Sequence, residues 1–354
     1  MLTKLLFCIY KRLAKLATGT GLRFLYMKIF LPILILLTVC SFFACGPKQQ
    51  DKPKSALDSL NTLIKQDSTN APALHARAKI MLAEKKYPEA LKDMVKVLDI
   101  DSTKSHYFIT MADVYMVMNK SGRAKSALDK SVSIDPANLE GLLKLAELYI
   151  YVEDYQKAID YSNKALEIDM RLPRGYYTKG MAYLYSGDTA RAESNFLTTV
   201  EQDPDYLVAY ENLGRIAAVH NSPAAEAHFK NALNINAADV NVRYLLGEYY
   251  QKNERFDDAL REYTNIVQIS PAYRSAHYNM GYINFVYKLN YQQGLKHFND
   301  AIAADPKYAS AYYMRGLCHE KLNNLPAAEA DFRQTLQLDA SFTKAAEGLK
   351  RIGK

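Results

Sequence analysis

Past residue 45, this 354-residue chain has a single cysteine, Cys318; the other three, Cys8, Cys40 and Cys45, fall before that point. A lone cysteine closes no intrachain disulfide, and no Cys/His cluster has the spacing of a metal site. Tryptophan is absent, while tyrosine is abundant at 27. The charge excess is also missing from most of the chain. Residues 1–44 hold six of the 45 basic residues (Lys4, Lys11, Arg12, Lys15, Arg23, Lys28) and none of the 38 acidic ones, which leaves 39 against 38 elsewhere. A nearly neutral body offers no electrostatic footprint for nucleic acid. Catalytic signatures are lacking too: there is no Gly-x-Ser-x-Gly, no histidine pair with a glutamate and no Cys-x-x-Cys. Gly19-Thr-Gly21 has no strand–helix context and is not a phosphate loop. The apolar run Ile29–Ala44 falls short of the ~20 residues of a spanning helix.

A basic start, a short apolar run and a small residue before the cut describe a secretory leader over residues 1–44, with Met27 as an alternative start. Its end, Phe-Phe-Ala-Cys45-Gly, resembles a bacterial lipobox. That resemblance implies lipidation of Cys45 and a lipid-anchored membrane partner. Gly46, rather than an aspartate, after the cysteine implies an outer-membrane lipoprotein facing the periplasm. An uncleaved anchor and an organelle transit peptide are the competing readings. Residues 45–54, with two prolines and almost no apolar side chains, read as an extended tether.

From Ala71 onward the chain repeats itself every 34 residues. The eighth position of each unit is small: Ala78, Ala112, Ala146, Gly180, Gly214, Gly247, Gly281, Gly316. The twentieth is Ala90, Ala124, Ala158, Ala192, Ala225, Ala259, Gly294, Ala328. The twenty-fourth includes Phe196, Phe229, Tyr263, Phe298 and Phe332. Asp135-Pro136, Asp203-Pro204, Ser270-Pro271 and Asp305-Pro306 mark helix ends, because proline pushes the preceding residue out of the helical region. Small residues let two helices approach, and large ones fill the space beside them. One such hairpin cannot bury its own apolar face, so units must stack.

These residues resemble the tetratricopeptide-repeat (TPR) family across 71–342, eight units in all. Unit 207–239 is one residue short and unit 274–308 one residue long. Residues 55–70 are expected to form an N-terminal capping helix, with Leu57, Leu60, Leu63 and Ile64 at helical spacing. Residues 343–354 are expected to form a C-terminal cap with Ala346, Leu349 and Ile352 inward. The resemblance implies an all-α, right-handed superhelical solenoid of antiparallel helix pairs. It also implies a concave groove lined by the first helix of each unit, where a protein or peptide partner binds, without enzymatic activity or a cofactor.

Positions five, nine and twelve of a first helix share one face. They place Tyr177, Tyr244, Tyr278, Tyr282, Phe285 and Tyr313 in that groove. Tyrosine suits a binding surface because it offers apolar area, a polar tip and little rotamer loss. Packing against neighbouring helices is the competing role. Asn212 and Asn279 fall at position six, where TPR proteins present an amide to a bound backbone. Asp113, Glu147 and Glu248 fall at position nine, on separate units, as a solvated or peptide-contacting face. Cys318-His319 has the residue types of a nucleophile and base, but Cys318 occupies a position that is apolar in the other units, so a core role is expected. The expected function is an envelope-anchored scaffold or adaptor; a structural subunit of a pilus, secretion or assembly complex is the alternative.

Overall fold

Residues 55–354 are described by a computed structural model; the leader, Cys45 and the whole of the tether lie outside the described residues. The described residues form eighteen α-helices and no strand. Helix α1 (Ala56–Gln66) opens with a reciprocal cap, in which Asp58 N–H donates to Ser55 Oγ at 3.1 Å and Ser55 N–H to Asp58 Oδ2 at 3.2 Å. Ile64 is its buried residue, and Leu63 is 46% exposed.

The unit Thr69–Lys354 is a run of helix pairs. They are α2 (Ala71–Ala83) with α3 (Tyr87–Ile100), α4 (Ser105–Val117) with α5 (Ser121–Ile134), and α6 (Leu139–Tyr151) with α7 (Tyr155–Ile168). Then come α8 (Pro173–Tyr185) with α9 (Thr189–Gln202), α10 (Leu207–Val219) with α11 (Ala224–Ile235), and α12 (Val240–Lys252) with α13 (Phe256–Ile269). The last pairs are α14 (Arg274–Val286) with α15 (Tyr291–Ala304) and α16 (Ala309–Lys321) with α17 (Leu325–Leu338). Helix α18 (Thr343–Arg351) closes the array against α17. Its buried residues are Ala345 and Gly348; Ala346 is only half-buried, while Leu349 and Ile352 pack around Phe332.

Seven of the eight first helices end in the same turn, and α14 ends in one that is a residue longer, closed by Asn290 N–H on Asn284 O at 2.8 Å. The next residues run through a left-handed position: Lys85, Asn119, Glu153, Gly187, Asn221, Glu254, Leu289 and Asn323 all have positive φ. In the pair α6/α7, Asp154 N–H reaches Tyr149 O at 2.8 Å and Glu153 N–H reaches Ile150 O at 3.0 Å, which satisfies carbonyls the helix would leave orphaned. Only one of the eight residues is glycine, so seven carry the Cβ penalty of that conformation. Leu289, at φ 50°, is 63% exposed and loses little packing on truncation. Leu289→Gly should therefore stabilise the protein by about 1 kcal/mol, read as a rise in Tm, whereas Gly187→Ala should lower it by a similar amount.

Second helices end on an aspartate more regularly than on a proline. Asp101, Asp135, Asp169, Asp203, Asp305 and Asp339 each accept, through Oδ1, the N–H two residues ahead, at 2.8–3.2 Å. Asn236 does the same with Ala238 N–H at 3.1 Å. This side-chain turn competes with the helix and stops it, whether or not a proline follows.

The core shows how positions eight and twenty-four constrain each other. Where position twenty-four is a ring, position eight is glycine. A Cβ on Gly180, Gly214, Gly247, Gly281 or Gly316 would lie 2.5–2.8 Å from Phe196, Phe229, Tyr263, Phe298 or Phe332 of the same pair. The first three pairs have Met94, Leu128 and Ser162 at position twenty-four, and their eighth residues are Ala78, Ala112 and Ala146. All five rings are fully buried.

Candidate functional site

Neighbouring first helices touch one another at most steps of the array, whereas neighbouring second helices do not to the same degree. Stacked units whose first helices lie closer than their second helices curve toward the first helices. The inner face is thus built from α2, α4, α6, α8, α10, α12, α14 and α16.

Along its first half this face is a ladder of charges. Lys144 Nζ donates to Asp113 Oδ1 at 2.7 Å, linking α6 to α4. Arg174, at the start of α8, reaches back to Glu140 at 2.5 Å and Glu147 at 2.8 Å on α6. Asp113 and Glu147 are thus matched by cations of the following unit rather than left as a bare acidic surface. Glu211 on α10 accepts from Arg215 at 2.8 Å and from Asn241 of the next unit at 2.9 Å.

From α8 onward the face also carries aromatic rings. In four units the tyrosine at position five sits among rings from position twenty-four and from the last residue of the unit. Tyr177 lies 5.7 Å from Phe196 and 5.1 Å from Tyr206, centroid to centroid. Tyr244 lies 5.9 Å from Tyr263 and 5.8 Å from Tyr273. Tyr278 lies 5.6 Å from Phe298 and 5.1 Å from Tyr308. Tyr313 lies 5.9 Å from Phe332 and 5.0 Å from Phe342. Offset and tilted ring pairs at these distances are favourable beyond the area they bury. Unit 207–239 has Glu211 and Asp239 at the two outer places, and the aromatic series is interrupted there.

Burial pushes the phenols of Tyr177 and Tyr278 up to about 12 and that of Tyr244 higher still. They are neutral hydrogen-bonding groups under any physiological condition. One hydroxyl meets an amide at position six: Asn279 Nδ2 donates to Tyr244 Oη of the preceding unit at 3.2 Å. Asn212 Nδ2 donates to Val208 O at 2.8 Å. Both amides therefore have partners within the solenoid, and that of Asn279 ties α14 to α12.

Tyr282 and Phe285 differ from the position-five tyrosines. Both are half-buried, packed with Tyr278 around Phe298, Met314 and Cys318. Tyr282 stacks on Tyr278 at 6.4 Å and meets the exposed Tyr287 edge-on at 6.1 Å. Tyr287 in turn stacks on Phe256 at 4.0 Å. These rings form a continuous aromatic surface at the inner turn of the pair α14/α15, where the extra residue of the long unit is accommodated. Sequence periodicity missed Tyr287 because it lies in that turn, outside the helical frame.

Cys318 is fully buried, and burial pushes its thiol up to about 12. It packs in the core beside Phe298 rather than acting as a nucleophile. His319 is lowered by burial, and its nearest carboxylate, Asp331 at 3.9 Å, is held by Arg315. Among the described residues no helix is long and apolar enough to cross a membrane.

Fold and inner face together define an all-α repeat protein of the kind that holds other proteins or peptides. The chain belongs to the tetratricopeptide-repeat family: family models described as tetratricopeptide repeat match residues 105–138, 139–169, 177–239 and 283–341, more than half of its length. Proteins of this family serve as protein–protein interaction scaffolds. Among solved structures it is similar to YrrB, described as a TPR protein with an unusual peptide-binding site, at 22% identity over 52% of this chain and 95% of that one (TM-score 0.45). It is also similar to pilF of Pseudomonas aeruginosa, at 19% identity over 62% and 96% of the two chains (TM-score 0.49). A TPR protein of Parabacteroides merdae matches at 16% identity over 72% and 100% (TM-score 0.48). No curated protein matches the sequence.

Proposed function

We propose that this protein is an adaptor of the bacterial envelope, anchored through a lipidated Cys45, which holds an extended peptide or partner segment against its inner face. The observation that carries the reading is the change in that face along the array. Ion pairs between units close it from α4 to α8, and from α8 onward it presents half-buried rings with polar tips. Such rings offer apolar area to a partner at low entropic cost. The contact surface centres on Tyr282 and Phe285, with Tyr287 beside them. Tyr278 and Tyr313 pack in the same cluster beside it, Tyr177 and Tyr244 continue the rings along the face toward the earlier units, Asn212 belongs to the same face, and Asn279 ties α14 to α12.

Recovery of partners from envelope extract by the wild-type protein and by Tyr282→Ala tests the reading. Tyr282→Ala should reduce recovery at least about tenfold while leaving the folding midpoint within about 1 kcal/mol, as expected for a ring at the edge of a cluster. Undiminished recovery would remove the contact surface from this face. Anchoring has its own test. Cys45→Ser should move the protein from the membrane to the soluble fraction, and an unchanged distribution would contradict lipidation at that residue.

A further inference from the structure

The pair α14/α15 carries a second feature, separate from the aromatic surface. His277 on α14 and His297 and Asp300 on α15 each bring one ligand-type atom into a common space, all within 4.8 Å of one another. His277 Nε2 lies 2.8 Å from the carbonyl oxygen of Pro271, so this nitrogen carries the ring proton and donates it. That bond leaves Nδ1 of His277 as the free lone pair, the arrangement in which a backbone carbonyl orients a metal-binding imidazole. Nδ1 of His277 is buried without a hydrogen-bond partner, and so is Nδ1 of His297. A buried polar atom left without a partner is costly, and a bound ion would satisfy both. Asp300 Oδ2 stands 3.9 Å from His277 Nδ1. The His277 side chain is 12% exposed and that of Asp300 is 44% exposed, so the cluster is sheltered on one side and open on the other. Pro271, Ala272, Ala303 and Ala304 complete a surface recess around His277 and Asp300.

The neighbouring units show what the cluster replaces. The equivalent place in the pair α12/α13 is filled by Arg243 and Glu262, paired at 2.6 Å. In α14/α15 the cation is gone and two imidazoles with unmatched lone pairs stand with a carboxylate instead.

We propose that His277, His297 and Asp300 form a binding site for a divalent metal ion of borderline softness, such as Zn²⁺, with water in the remaining position. Two imidazoles and one carboxylate suit zinc, copper or nickel rather than magnesium or calcium. Ligand bonds of about 2.0–2.2 Å require the three side chains to draw in from their present separation. Rotation of the half-exposed Asp300 and of His297 supplies that closure. The ion would clamp α14 to α15 in the unit that carries the extra turn residue.

Titration of the full chain with Zn²⁺, followed by isothermal calorimetry at neutral pH, tests the site. The wild type should bind one equivalent with a dissociation constant of about 10 µM or tighter. His297→Gln and Asp300→Asn should each weaken that binding by about tenfold or more, with unchanged helical content and unchanged Tm in the absence of metal. Zinc should raise the Tm of the wild type and not that of Asp300→Asn. His75→Gln is the control: His75 and His106 form another close ring pair, at 5.4 Å, but Nε2 of His75 is occupied by Thr110 at 2.8 Å. Its removal should leave zinc binding intact, and Mg²⁺ should not compete. Absence of saturable zinc binding, or binding undiminished in both His297→Gln and Asp300→Asn, would overturn the proposal.

Discussion

Gly214→Ala should destabilise this protein by about 1–3 kcal/mol, although alanine is the better helix former by about 1 kcal/mol. The reason is steric. The added Cβ would lie 2.5 Å from the Phe229 ring, which is buried and has no free side to move into. Phe229→Leu alone should cost about 1–2 kcal/mol through lost volume, less than the 3–5 kcal/mol of a full truncation to alanine. The informative variant is the double one. Gly214→Ala with Phe229→Leu recreates the pairing of Ala112 with Leu128, which the chain already uses in α4/α5. It should recover most of the loss, so that the two substitutions couple by at least about 1 kcal/mol in a double-mutant cycle. Thermal unfolding followed by circular dichroism reads all four corners. Additive losses would show that glycine at position eight does not exist to admit the ring.

Arg315→Met should be among the most damaging single changes, costing about 3–5 kcal/mol. Arg315 donates to Asp331 from Nε at 2.9 Å and from Nη2 at 2.6 Å, and from Nη1 to Asn299 at 2.8 Å. One guanidinium thereby joins α16 to α17 and to α15 of the preceding unit. The Asp331 side chain is only 6% exposed, so removing the cation strands a desolvated carboxylate. Arg315→Met with Asp331→Leu should lie close to wild type, because apolar residues of similar size replace a buried pair at little cost. An exposed pair gives the contrast. Lys125 and Asp129 lie 2.7 Å apart with both side chains over 40% exposed, and Lys125→Ala should change stability by less than about 0.5 kcal/mol. The same geometry recurs at the other end of the array, where Arg77 holds Asp93 at 2.7 Å, so Arg77→Met offers an independent repeat of the experiment.

The repeat was legible because its signals are local and periodic. Small residues at positions eight and twenty and large ones at twenty-four survive as a count along the chain. The dependence between positions eight and twenty-four was present in the same letters, with three alanines against five glycines. Its cause is a contact across two helices, which periodicity does not display. Helix ends were half legible. The prolines mark four of them, but the working signal is the aspartate or asparagine before the turn, which serves the units without proline equally well.

The inner face was read least completely. Spacing placed Tyr177, Tyr244, Tyr278 and Tyr313 there, yet each is wedged between a ring nineteen or twenty residues on and the last residue of its unit. Tyr206, Tyr273, Tyr308 and Phe342 close their units at a position the periodicity did not single out, so the three-ring stacks were invisible from the sequence. The bond of Asn279 to the tyrosine of the preceding unit joins residues 35 apart and was not visible from spacing. The histidines of α14/α15 looked scattered in sequence. Only the pairing of the two helices brings His277, His297 and Asp300 together.

Site-specific photo-crosslinking tests the inner-face reading most directly. A photoreactive phenylalanine analogue placed at Tyr282, on α14, faces the proposed partner. The same group at Leu197, 39% exposed on the second helix α9, serves as the outer reference. In cells carrying the anchored protein, irradiation should yield a discrete crosslinked partner from position 282 and none from position 197. Crosslinks to the same partner from position 197, with none from position 282, would contradict the account and place recognition on the outer face.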